Sequence, residues 1–228
     1  MELSVDGFKK ARHSVFKTRY EMDFIYKIGA AFIFAAFTGL MAQVRIHLPF
    51  TPVPITGQVF PALLAGFALG KWYGGASQLI YAVLGGFGIP WFAPKAGKAV
   101  FTSKGLEVLL GPTGGYIAGF AVAAFLIGHF TDTYVRSRRL LPQLGIMLGG
   151  VAIIYAMGAT QFYLVATKTP ALQEWVMKSL GSSAFGFKET MVAAVIPFIP
   201  GDILKAVGAA LLGTALLPKE PFGSEKDA

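Results

Sequence analysis

An aspartate and a lysine lie inside an otherwise apolar stretch, PFIPGDILKA, near the carboxyl end of the 228-residue chain. Asp202 and Lys205 are three residues apart, so a helix would place both on one face. Ionisable groups within a membrane span cost about 2.5–3.5 kcal/mol each and usually face a cavity or each other. Pro200 suits the first turn of a helix, whose free N–H groups would point at a polar ligand. The pattern favours a ligand site, with a structural ion pair as the alternative.

The composition indicates that this stretch lies in a membrane. The chain is 54% hydrophobic and 14% charged, with a mean hydropathy of +0.59, whereas soluble domains carry about 25% charged residues. The net charge of +8 comes from basic residues at the ends of apolar segments. That placement favours contact with membrane lipid headgroups over binding to nucleic acid.

Metal and cofactor chemistry find little support in the sequence. The chain has no cysteine, and its three histidines are far apart with no metal-binding spacing. We therefore expect no metal site, no cofactor and no metal-dependent enzyme.

Six apolar segments are expected to cross the membrane, because a spanning helix needs about 20 mostly apolar residues. A tight turn at Lys71 is expected to separate the second from the third, and the mixed connection 168–189 is expected to be partly helical. The predicted spans are 28–44, 58 or 61 to 70, 72–88, 108–131, 140–167 and 190–217.

These spans predict an all-α, polytopic protein of the plasma membrane with six transmembrane helices and a pocket opening to the extracellular side. The expected parts are a cytoplasmic N-terminal segment over 1–26, a membrane domain over 27–217 and a cytoplasmic tail over 218–228. The basic N-terminus and the RSRR loop favour a cytoplasmic N-terminus. Three lysines between 95 and 104 weigh against this orientation.

The loop RIHLPFTPVPITGQ, over 45–58, is stiff because proline fixes the backbone and removes hydrogen-bond donors. A stiff loop can cap a pocket with little loss of entropy on binding, although it can also be a mere connector. Arg45 would pair with a ligand carboxylate or anchor the first span at the headgroups. Its position alone favours anchoring.

Glycines in GPTGGYIAGF, over 111–120, would let the backbone approach a ligand or another helix closely. Thr113 and Tyr116 add hydroxyl groups to that segment. The Walker pattern GxxxxGK followed by Ser or Thr is absent, so we expect no ATP site. Gln78 and Tyr81 are isolated polar groups on the third span, which would face a pocket or be satisfied by packing.

Small residues recur at helical spacing on the first span, at Ala31, Ala35 and Gly39. Such a face lets membrane helices pack closely. Internal packing and contact with a partner protein are equally compatible with this spacing.

The motifs LPFTPVPITGQ, GPTGGYIAGF and PFIPGDILKA, in this order, resemble those of the BioY family, the biotin-binding S-components of energy-coupling factor (ECF) transporters. The resemblance covers about 28–217. It implies a six-helix protein that captures biotin outside the cell and works with a transmembrane coupling protein and two cytoplasmic ATPases. The resemblance further implies that the chain itself is not an enzyme. It also implies that the 45–58 loop covers the pocket and that Ala31 and Ala35 contact the coupling protein. The basic 94–105 loop and the long N-terminal extension depart from the expected pattern.

The resemblance places Asp202 and Lys205 in the vitamin pocket. Asp202 would accept hydrogen bonds from the ureido N–H groups of biotin, and Lys205 would donate to its carbonyl or carboxylate. Which polar group meets which end of biotin is left open. The other expected substrate contacts are Thr51, Thr56, Gln78, Tyr81, Tyr116, Trp91 and Arg45.

Three alternatives remain at this point. A stand-alone biotin transporter would need no coupling protein or ATPase. An intramembrane enzyme would need a nucleophile with a base, and the sequence offers one deep carboxylate, Asp202, without a deep histidine partner. A channel or scaffold would bind no small molecule.

Overall fold

A computed structural model describes residues 5–221 and residue 226. This part of the chain is mostly helical, and a short antiparallel pair of strands joins Arg45 to Thr56 and Ile46 to Ile55. The elements are α1 (Val5–Glu21), α2 (Phe24–Gln43), β1 (Arg45–Ile46), β2 (Ile55–Thr56), α3 (Val59–Gly86), α4 (Leu106–Leu109), α5 (Gly114–Thr133), α6 (Leu140–Lys168), α7 (Pro170–Leu180), α8 (Phe187–Ala194) and α9 (Ile199–Leu216), with 3₁₀ turns at Val135–Arg138 and Ile196–Phe198.

Four stretches of the described chain are long and apolar enough to cross a membrane. The most buried of them is α5, which packs between α3 and α6 at the centre of the protein. The other three direct many large apolar side chains outward, as lipid contact requires. The four stretches are Phe24–Gln43, Gly114–Thr133, Leu140–Lys168 and Phe187–Leu216.

The chain reverses direction within α3, at Gly70. Gly70 has φ 78° and ψ 178°, a backbone conformation that favours glycine. The side chains of Gln58 and Tyr81 are hydrogen-bonded although they are 23 residues apart, a separation of about 34 Å along a straight helix. The two halves of α3 therefore run antiparallel. The turn predicted at Lys71 is present one residue earlier, at Gly70.

Several predicted boundaries differ from the observed ones. The first span begins at Phe24 rather than residue 28, which places Lys27 inside α2. The predicted span 108–131 begins at Gly114, because the turn at 111–113 separates α4 from α5. The last apolar stretch is broken between α8 and α9, since Pro197 and Pro200 lack the N–H groups that a continuous helix needs. The predicted 140–167 span agrees with α6, and α7 lies in the mixed connection.

The N-terminal helix α1 packs against the end of the helical body that carries both termini. Phe16 is buried, and Arg19 donates to the carbonyl of Phe67 (2.8 Å). Arg138 is fully buried and donates to the carbonyl of Pro218 (3.3 Å), at the start of the expected tail. Residues of the expected N-terminal segment and of the expected tail therefore contact the helical body, and the cytoplasmic location of these segments stays a prediction. Within the expected segments, residues 1–4, 222–225 and 227–228 lie outside the described residues.

Candidate functional site

A cavity of about 880 Å³ lies at the end of the helical body opposite the termini. The 45–58 loop, the 93–113 connection and the beginnings of α5 and α9 form its walls, together with parts of α6 and α7. Tyr116 lines this cavity, and Asp132 at the other end of α5 is about 24 Å away along the helix axis.

Asp202 is the most deeply buried charged group on the cavity wall, with 3% of its surface exposed. It lies in the first turn of α9, whose start is set by the breaks at Pro197 and Pro200. Its Oδ1 accepts from Lys205 Nζ (2.6 Å), and its Oδ2 accepts from the Tyr155 hydroxyl (2.7 Å). A carboxylate has about four lone-pair positions, so Asp202 can accept further hydrogen bonds from a ligand in the cavity.

Gln58 links the 45–58 loop to α3. Its Oε1 accepts from the Thr56 hydroxyl (3.0 Å), and its Nε2 donates to the Tyr81 hydroxyl (2.5 Å). The Thr51 hydroxyl accepts from the backbone N–H of Val53 (3.1 Å), which fixes the middle of the loop. The loop thus presents two threonines and an amide to the cavity from a braced backbone.

Tyr116 presents its ring to the cavity while its hydroxyl donates to the carbonyl of Ala194, where α8 ends. The GPTGG segment brings α5 against α6. A Cβ on Gly115 would lie 2.3 Å from the carbonyl oxygen of Met157, so only glycine permits this approach. Gln161 Nε2 donates to the carbonyls of Leu109 and Gly111 (both 2.7 Å) and holds the turn before α5. The glycines therefore serve helix packing beside the site.

The structure brings four of the predicted substrate-binding residues together on the cavity wall: Asp202, Thr51, Thr56 and Tyr116. Lys205 does not line the cavity. Its ammonium group instead donates to Asp202, which does.

Four further predicted residues lie off the cavity wall as far as the described chain goes. Tyr81 is fully buried behind Gln58, and Trp91 packs on it with ring centroids 5.4 Å apart. Gln78 accepts from the Thr38 hydroxyl (3.2 Å) between α2 and α3. Arg45 donates to the carbonyls of Gln43 (3.2 Å) and Lys98 (2.7 Å). Residue types alone do not distinguish side chains that pack in the interior, like these four, from side chains that face the cavity.

Ala31 and Ala35 are fully buried where α2 packs against α3. Internal packing accounts for their spacing in this arrangement. Contact between these two residues and a partner protein stays a prediction.

Sequence reasoning missed several residues of the cavity wall. Tyr155 was overlooked because it lies alone on a long apolar helix, 47 residues from its partner Asp202. Gln58 ends the LPFTPVPITGQ motif, where the sequence indicates only the start of a helix, and the structure places its amide on the cavity wall. Trp175 of α7 and Lys95 also line the cavity. Within 5–221 and 226, no group of three or more His, Cys, Asp or Glu side chains is placed to hold a metal ion.

The helix arrangement is similar to a solved structure, the S-component for biotin from an ECF-type ABC transporter. The TM-score is 0.64 at 24% identity, over 86% of this chain and 94% of that one. The fold is therefore that of an S-component. The four apolar stretches among the described residues, together with relatives of the chain that are named transporters, indicate a multi-pass membrane protein.

The chain belongs to the BioY family, whose model matches residues 12–221. A probable biotin transporter BioY from Methanothermobacter thermautotrophicus is 44% identical over 165 residues, which cover 72% of this chain and 94% of that protein. The biotin transporter BioY from Rhizobium etli is 33% identical over 183 residues, 78% of this chain and 84% of that one. The resemblance carried by the three motifs is confirmed. Both relatives are named as transporters rather than enzymes, which supports the expectation for this chain.

Proposed function

We propose that this chain is the biotin-binding S-component of an ECF-type transporter in the plasma membrane, and that it captures biotin from outside the cell. Asp202 carries the proposal, because it is a buried carboxylate with unused acceptor positions on the wall of an 880 Å³ cavity. This volume lies within the usual range of small-molecule sites, about 300–1,000 Å³. The choice of biotin as the ligand rests on the relatives of the chain that are named biotin transporters.

The proposal includes six membrane crossings: α2, the two halves of α3, α5, α6, and α8 with α9. The first half of α3, over 59–69, is about 16 Å long and too short to span alone. The 45–58 loop supplies the missing length, and its irregular backbone is compatible with membrane depth because it lines a cavity. An even number of crossings places both termini on one side. The arginines at 136, 138 and 139 favour the cytoplasm for that side.

Biotin would enter with its ureido ring toward Asp202. The ureido N–H groups are donors that suit a carboxylate, whereas the carboxylate of biotin would be repelled by it. The exposed Lys95 at the cavity edge provides an opposite charge for that carboxylate. The rings of Tyr116 and Phe198 would pack on the apolar part of the vitamin. Lys205 would act through Asp202 by orienting its carboxylate.

The predicted residues that lie behind the cavity wall would position the side chains that line the cavity. Tyr81 holds Gln58, and Trp91 packs on Tyr81. Gln78 and Arg45 would support the α2–α3 interface and the outer connection, respectively.

Equilibrium binding of radiolabelled biotin to the purified full-length chain in detergent tests the substrate. We expect saturable binding that unlabelled biotin displaces and that thiamine, riboflavin and folate do not. No saturable binding of labelled biotin, together with saturable binding of labelled thiamine, riboflavin or folate, would contradict the proposed substrate while leaving the fold intact.

The coupling protein and the two ATPases are part of the proposal because the similar solved structure is the S-component of an ECF-type ABC transporter, and this sequence has no Walker motif with which to bind ATP itself. Uptake of labelled biotin should be measured in a host without any ECF module, with and without a co-expressed module. We expect uptake above background only with the module. Concentrative uptake by the chain alone would instead support a stand-alone transporter.

A further inference from the structure

A second cavity, of about 450 Å³, lies at the end of the protein that carries the termini. It is bounded by the end of α1, the beginning of α2, the Gly70 reversal in α3 and the end of α5. Its four charged side chains are Arg19, Lys27, Lys71 and Asp132. We call this cavity the inner cleft.

Arg19 and Asp132 form the scaffold of the inner cleft. Asp132 Oδ1 pairs with Arg19 (2.5 Å), and Oδ2 accepts from the backbone N–H of Lys71 (3.0 Å). Arg19 also donates to the carbonyl of Phe67 (2.8 Å), just before the reversal at Gly70. These bonds tie α1 and α5 to the reversal, and the two charges neutralise each other.

Lys27 and Lys71 supply the remaining positive charge. Within the described chain, neither ammonium group has a carboxylate oxygen within 4 Å. Lys27 Nζ uses one of its three donors on the carbonyl of Tyr20 (2.9 Å). Lys71 Nζ lies 5.7 Å from the centre of the Trp72 ring. Both groups therefore retain donors for an anion in the inner cleft.

Aromatic side chains indicate the depth at which the inner cleft meets the membrane. Tyr26, next to Lys27, is 64% exposed, and Trp72, next to Lys71, is 67% exposed. Exposed Tyr and Trp at the ends of membrane helices are typical of the headgroup level. The abundant anion at that level is the lipid phosphate.

We propose that the inner cleft binds the phosphate of an anionic phospholipid through Lys27 and Lys71. The ligand is a lipid rather than a soluble phosphate because the two lysines are flanked by side chains that face the bilayer. The bound headgroup would join α1 and the Gly70 reversal to the membrane surface. This proposal does not depend on the identity of the ligand in the outer cavity.

The proposal is tested by lipid binding to the purified full-length chain in detergent. Native mass spectrometry counts the bound lipids, and thermal unfolding measures how much they stabilise the protein. The probes are phosphatidylglycerol, phosphatidylcholine and soluble glycerol 3-phosphate. We expect preferential binding of phosphatidylglycerol. K27Q/K71Q should weaken this binding by about fivefold for each lysine, from the usual contribution of a basic residue near an anionic membrane. The charge-preserving K27R/K71R should retain it.

K178Q/K188Q is the matched control, because it removes the same charge from two exposed lysines near the opposite end. It should retain the preference for phosphatidylglycerol. An equal loss in both double variants would overturn the proposal in favour of a general charge effect. Unchanged binding to K27Q/K71Q would also overturn it, and equal stabilisation by glycerol 3-phosphate would identify a soluble anion as the ligand instead. Single variants K27Q and K71Q keep the test decisive if the double variant does not fold.

Discussion

The two ends of the protein each contain a poorly exposed aspartate paired with a cation, but the two pairs differ in what they connect. Asp202 pairs with a lysine on its own helix and with a tyrosine of α6, beside a large cavity. Asp132 joins α1 and the backbone of the α3 reversal to α5. In the proposed biotin site, the carboxylate of Asp202 recognises the ligand. In the inner cleft, the carboxylate of Asp132 braces the fold, and two lysines are proposed to bind a lipid phosphate. The pairing alone therefore does not reveal the role of an intramembrane charge.

The largest expected effect is on biotin binding by Asp202→Asn. The amide keeps the shape of the side chain but loses the charge that accepts the ureido N–H bonds. Hydrogen bonds to charged groups contribute about 1.5–3 kcal/mol, so we expect binding about 10- to 100-fold weaker in the radiolabel assay. Gel filtration and circular dichroism must show a folded protein. Unchanged affinity would remove Asp202 from the site.

The opposite result is expected for Asp132→Asn. This change leaves Arg19 unpaired where its side chain is only 13% exposed. Fully buried pairs cost about 3–5 kcal/mol to break and exposed pairs contribute little, so an intermediate loss of about 1–3 kcal/mol in unfolding free energy is expected. A lowered thermal unfolding midpoint with biotin affinity within about twofold of wild type would support different roles for the two aspartates. A selective loss of binding with unchanged stability would contradict this difference.

Tyr155→Phe should have a smaller effect on binding. The change removes the hydrogen bond that orients Asp202 Oδ2 but leaves the carboxylate and its lysine in place. Because the change affects the ligand only through the orientation of Asp202, we expect a loss of about 0.5–1.5 kcal/mol, the net contribution of a typical hydrogen bond, and hence biotin affinity about three- to tenfold lower. Phe162→Leu on the same helix is a control for packing changes away from the cavity. Equal losses in both variants would assign the effect to packing.

The smallest effect is expected for Arg45→Gln. Arg45 donates to the carbonyl of Gln43 at the end of α2 and to the carbonyl of Lys98, and it does not line the cavity. Biotin affinity should stay within about twofold of wild type in the same assay. A tenfold loss would show that Arg45 reaches the carboxylate of biotin in the bound state.

The sequence was most informative where a local pattern has a single physical explanation. Asp202 and Lys205 attract attention because ionisable groups in an apolar stretch usually face a cavity or each other. The structure pairs the two side chains at 2.6 Å, which is the ion pair of the alternative interpretation, and their role in ligand binding stays a prediction. The reversal near Lys71 was predicted because a charge interrupts an apolar run. Both features depend only on neighbours in the chain.

The parts that were not predicted depend on contacts between distant segments. Tyr81 and Gln58 meet only because the two halves of α3 fold back at Gly70. Tyr155 becomes a site residue only when α6 packs beside α9. Helical spacing gives the face of a residue relative to its own helix, but not which neighbour or cavity that face meets.

The central claim is tested most directly by calorimetric titration with biotin. Wild type, Asp202→Asn and Asp132→Asn should be titrated side by side, at a temperature where all three are folded. The proposed site predicts nearly equal affinities for wild type and Asp132→Asn, and a loss of at least about tenfold for Asp202→Asn. Wild-type affinity in Asp202→Asn, or an equal loss in both variants, would contradict the assignment of Asp202 as the residue that recognises biotin.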